Sequence, residues 1–150
     1  MAEPTAPWTW SDALSMAASV AAIVALPYAA YQVRQARMNA SATAAATIFS
    51  NIKLRIDEVA AYDSEQGLYE ATCGLLNEIE FACSLYLDSQ LGGHTGKIAT
   101  EFIKDILASV ERNDKLLECT VRAIHKPHTF ECIKQFCRKH KKDWKALNAA

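Results

Sequence analysis

Residues 13–33, ALSMAASVAAIVALPYAAYQV, are the longest stretch of this 150-residue chain without a formal charge, closed off by Asp12 before it and Arg34 after it. Wound as a helix rising about 1.5 Å per residue, they cover roughly 30 Å, the thickness of a bilayer's hydrocarbon core. Trp8 and Trp10 precede the stretch, and Tyr28 and Tyr31 stand at its far end, where interfacial aromatics belong. The reading is a single membrane span. Eight of its 21 residues are alanine, which adds little to insertion, and Leu14, Met16, Val20, Ile23, Val24 and Leu26 are the strong inserters. A buried, Ala-rich core helix of a soluble bundle is therefore the alternative, and the paired aromatics with the charge step at Arg34 and Arg37 favour the span. A signal peptide would open on a basic region, and here Glu3 and Asp12 stand instead.

Orientation follows from the flanks. The first twelve residues carry no Lys or Arg, whereas Arg34 and Arg37 lie just past Val33, so the positive-inside rule places the N-terminus outside and residues 34–150 in the cytoplasm. In a bacterium this is a single-pass protein of the inner membrane. All five cysteines fall in the cytosolic part, and an odd number there fits reduced thiols better than a disulfide framework. The expected organisation is a lead (1–10), a transmembrane helix (11–33) and a helical domain (34–150) ending in a basic tail (119–150).

Hydrophobic residues make up 51% of the chain, enough for a small core, and the net charge of −1 conceals a dipole. Residues 55–118 carry a net −8, and residues 119–150 carry +6 together with three of the four histidines. With no repeats, no low-complexity tract and few Gly or Pro, the chain reads as all-α, a span continuing into a bundle of about three to four helices.

In chain order, Ser11 is the expected N-cap of the span, with Asp12 in its first turn. Pro27 is a kink that membrane helices tolerate. Ala17, Ala21, Ala25 and Ala29 repeat every fourth position, a close-approach face that points to a homo-oligomer. Beyond Arg34 no Gly or Pro intervenes, and Ile48, Ile52, Ile56 and Val59 make one stripe, so the span helix is expected to run on into the domain. Asp63 and Gln66 form a capping-box-like start for a helix from about Glu65 to Gln90. LGGHTGK then breaks the chain. A third helix is expected from about Lys97, burying Phe102, Ile106 and Val110, bent near Asn113 and Asp114 and stopped by Pro127. A last helix is expected from about Thr129 to Leu147.

Three constellations carry candidate chemistry. GGHTGK is not a phosphate-binding P-loop, because Leu91 and Ile98 stand where that motif needs glycine and a hydroxyl, and no strand precedes it. What survives is an anion-holding turn with His94, Thr95 and Lys97 at a helix start, against the plainer reading of an interhelical turn. The second is His125, His128, Cys132, Cys137 and His140, whose spacings put the pairs on different helix faces. A closed metal site does not follow, and no cofactor or metal is expected. The third is the basic tail, in which Lys126, His128, Lys134, Arg138 and His140 can pair with phosphates, with Trp144 or Phe136 against a base. A solvated helix surface and a patch on the anionic inner leaflet are the competing readings of those cations. No nucleophile, base or carboxylate pair stands in a recognisable setting, so a non-enzyme is expected.

The segments YQVRQARMNASATAAATIF (31–49) and LLNEIEFACSLYLDSQL (75–91) resemble a broad group of bacterial single-span proteins with helical cytosolic domains. The plan of N-terminal span, short helical domain and phosphate- and base-compatible tail also resembles the membrane effectors of bacterial phage defence, especially the CRISPR-associated kind. That resemblance implies a cytosolic domain that binds a cyclic oligoadenylate or another cyclic nucleotide and perturbs the bilayer. It assigns no residue. A membrane-anchored interaction module without a small ligand is the alternative, and direct nucleic-acid binding by the tail is disfavoured by the acidic middle of the chain.

Overall fold

The computed structural model describes residues 9–126, 128–141 and 144–146. It is all-α among these residues, with α1 (Trp10–Ala61), α2 (Glu65–Leu87), α3 (Gly93–Arg112), α4 (Asp114–Ala123) and α5 (Glu131–Lys139). Trp8, Pro127, Lys142 and Leu147, and most of the expected lead, lie outside the described residues. The chain divides into two compact units, residues up to Arg37 and residues from Met38 onward.

In the first unit every described residue is exposed or nearly so, from Leu14 and Ile23, each 69% exposed, to Tyr31 and Val33. None of the most apolar 18-residue window is buried. By length and composition α1 is one helix long and apolar enough to cross a membrane. Its start differs from expectation. Ser11 lies inside the helix and Thr9 precedes it, its Oγ1 accepting from the Asp12 amide at 3.4 Å while the Thr9 amide donates to Asp12 Oδ2 at 3.0 Å. Asp12 at the third helical position satisfies the cap residue's own amide, which Ser11 has no partner to do.

In the second unit the core gathers round α2, which packs against α3, α4 and α5. From α1 it takes Ser41, Ala45, Ile48 and Ile52, four residues at helical spacing. Ile48 and Ile52 are buried as the stripe requires, while Ile56 reaches solvent and Val59 is half-buried. Leu75, Leu76, Ile79 and Cys83 of α2, Ile103, Leu107 and Val110 of α3, Ile133 and Phe136 of α5, and Trp144 complete the core. Phe49 and Phe102 meet at 4.4 Å, and Asn51 donates to Glu78.

Helix boundaries show local chemistry overriding pattern. α2 begins at the expected Glu65, and Ser64 caps it, accepting from the Gly67 amide at 3.2 Å in place of the expected Asp63. α2 ends at Leu87, three residues early, because Ser89 adopts φ 58 and the Ser89 and Gln90 amides return to the Tyr86 and Leu85 carbonyls. That is the left-handed stop usually given to glycine. α3 begins at Gly93 (φ 64), four residues before the expected Lys97. A Cβ at Gly96 would stand 2.6 Å from the Leu91 carbonyl carbon, so the glycines there fold a tight turn into a helix start. Asn113 separates α3 from α4 and caps the latter, its Oδ1 accepting from Lys115 and Leu116.

α5 is shorter than expected at nine residues, starting after Phe130 at φ 57 and ending at His140 before Lys141 at φ 52. No side chain of its own caps it. Glu80 of α2 does so, its two carboxylate oxygens each accepting at 2.8 Å from the Cys132 and Ile133 amides. A carboxylate at a helix start satisfies two orphan amides and the helix dipole together. Glu80→Ala is expected to lower unfolding stability by about 2 kcal/mol in a denaturant titration. A loss within experimental error would show that the cap holds nothing in place.

Candidate ligand-binding site

One face of α3 carries Gly93, Gly96, Lys97, Thr100, Glu101 and Lys104 at steps of three and four, so small and polar residues line up along the helix. With Tyr86 and Leu91 from the end of α2 and the following turn, and His140 from the end of α5, they line a groove of about 550 Å³. That volume suits a small organic ligand. At one end stand the first-turn amides of α3, which have no intrahelical acceptors and sit at the positive end of the dipole. Space is open at Gly93, where a ligand can approach the backbone, while Gly96 is filled by the Leu91 backbone.

The charges are arranged along the helix. Lys104 donates to Glu101 at 2.8 Å and holds that carboxyl below the usual carboxylate range, so this pair is ionised and nearly neutral as a unit. Lys97, exposed on the preceding turn, makes no ion pair with a carboxylate among the described residues.

The aromatic wall is stacked from behind. His140 lies 5.2 Å from Tyr86 and 4.6 Å from Phe136, and Phe136 meets Tyr86 edge-on at 5.1 Å. Lys139 sits over the Tyr86 ring at 4.7 Å. His140 Nε2 is enclosed and finds no hydrogen-bond partner. Burial, and after it the nearby Lys104 charge, lower the His140 pKa from its ordinary 6.5. The sign then follows. The unfolded chain takes up this proton before the folded one does, so stability is expected to fall as pH drops below about 6.5. Thermal melts at pH 7.5 and about 5.5 measure it, and His140→Gln should flatten the difference.

The sequence-designated residues are not gathered in one place. Lys97 and His140 meet in the groove. His94 is exposed and Thr95 half-buried in the first turn of α3, outside the groove lining. Lys126, His128 and Arg138 are exposed elsewhere. Lys134 is buried, at 8% exposure, and Trp144 at 1% is a core side chain. The cause is amphipathicity: α5 turns Ile133, Phe136 and Cys137 inward, Lys134 goes with them, and the helix ends before Trp144. Tyr86, Thr100, Glu101 and Lys104 were missed, although the three- and four-residue spacing on α3 was in plain view.

No disulfide forms, and burial pushes the Cys83, Cys119 and Cys132 thiols up from their ordinary pKa. Among the described residues no three His, Cys, Asp or Glu side chains come together in a metal-binding group. No protein-family model, curated protein or solved structure matches the chain. The reading of function accordingly rests on the helix of the first unit and the groove of the second.

Proposed function

We propose that this is a single-pass protein of the bacterial inner membrane, N-terminus outside, whose cytosolic helical domain binds a phosphate-bearing cyclic nucleotide and acts on the bilayer through its span. The observation that carries the reading is the groove, where Lys97, Lys104, the α3 amides and a Tyr86–His140 wall put phosphate-compatible and ring-compatible groups side by side. Cyclic oligoadenylate is the ligand implied by the resemblance to phage-defence effectors. A helix with no buried residue in its apolar window suits a bilayer, and Arg34 and Arg37 after it support that orientation. The four-residue alanine repeat supports association of copies within the membrane, which would supply a polyphosphate ligand with several grooves. No residue set in the groove supports catalysis.

The test is a thermal-shift screen of the full chain in detergent micelles against cyclic mono- and oligonucleotides, with Lys97→Glu and Lys104→Glu beside the wild type. A ligand at about a hundred times its Kd adds about 2.7 kcal/mol of stability, which the charge reversals should abolish. A flat screen on a folded protein would favour the second reading, an anchored protein-interaction module. One observation speaks for that module, namely the apolar side chains outside the groove at Leu54, Phe81 and Ile98, each more than half exposed.

A further inference from the structure

Gly92, between Leu91 and Gly93 of the groove lining, is held from outside the groove by a residue 51 positions earlier. The Ser41 hydroxyl accepts from the Gly92 amide at 2.9 Å and donates to the Gly92 carbonyl at 3.1 Å. The same carbonyl accepts the Gly96 amide at 3.0 Å, the bond that closes the first turn of α3. Ser41 is 3% exposed and is the first buried residue of α1. The two peptide units that flank the Gly92 α-carbon are therefore tied at once to the start of α3 and to α1. The hydroxyl's one donor and one of its two lone pairs are used on Gly92.

The turn is also poised to respond. Gly93 holds φ 64 with open space around its α-carbon, while Gly96 lies against the Leu91 backbone with no room for even a methyl group. A ligand entering along the α3 face meets this turn, and any shift of Gly92 stretches or breaks the two bonds to Ser41.

We infer that the Ser41–Gly92 clasp is the regulatory link of this groove, coupling the position of the α2–α3 turn to the α1 segment that begins at Ser41. The inference rests on the groove being a ligand site, but its test needs no ligand. Ser41 is a positioning residue and does not line the groove. Ser41→Ala removes the clasp. Gly93→Ala strains the turn through its left-handed backbone without meeting any atom, so the domain still folds. Amide hydrogen exchange of residues 41–48 is read in the full chain in micelles, with α5 amides as the internal reference. Gly93→Ala alone is expected to speed exchange there about fivefold, the scale of one net hydrogen bond, with α5 unchanged. In the Ser41→Ala background the same substitution should add nothing. Independent, multiplying effects would overturn the clasp as a link, and so would an α1 that ignores Gly93→Ala. A flat nucleotide screen with a non-additive cycle would remove the ligand and leave the coupling intact.

Discussion

Phe136→Ala is expected to lower unfolding stability by about 3–5 kcal/mol and to disorder the groove with it. Phe136 has no exposed surface, sits in the core, and stands 5.1 Å from Tyr86 and 4.6 Å from His140. Removing the ring leaves a cavity behind both aromatic walls of the groove, in a domain whose total stability is about 5–15 kcal/mol. The expected result is a much lower denaturation midpoint, with loss of near-ultraviolet dichroism from Tyr86 before global unfolding. Phe136→Leu, which keeps most of the volume, should cost far less. Equal losses from Ala and Leu would show that the ring contacts matter little.

The second large effect concerns the membrane. Ile23 is the central residue of 13–33 and 69% exposed. Leu14, Val20, Ile23, Val24 and Leu26 together favour insertion by about 1.5–3 kcal/mol, and one central arginine opposes it by about 2.5–3.5 kcal/mol. On the proposed membrane reading, this alanine-rich helix has no reserve to absorb that change, so Ile23→Arg is expected to move the chain from carbonate-resistant membranes into the soluble or degraded fraction. Ile23→Leu should leave it in place. Retention of the arginine variant, or a mature chain shortened at its N-terminus, would remove the span from the account.

Some of this fold was legible in the sequence. The stripe of Ile48 and Ile52, the lack of strand signals and the bend at Asn113 are periodic or compositional facts, and they carry straight into the structure. Boundaries depend on single-residue backbone choices, and there pattern misled. Glycines at 93 and 96 read as breakers yet open a helix, while Ser89, an ordinary residue by pattern, takes the left-handed stop. The site was legible by residue type and not by place. Lys97 and His140 were both named, in separate constellations, because only the tertiary fold brings the residue after α5 and the α3 face into one groove. Tyr86 was not singled out, and Lys134 was grouped with the solvent-facing cations because charge says nothing about which way a short helix turns.

The enclosed thiols have a practical consequence. Alkylating reagents attack the thiolate, and Cys83, Cys119 and Cys132 are held in the protonated form at neutral pH by their burial. Maleimide chemistry on intact cells should therefore find a quiet background in these native cysteines. A reporter cysteine introduced on the exposed flank of α1, at Ala42 for instance, would be read against the half-buried Cys73 and Cys132 to give the sidedness of the chain.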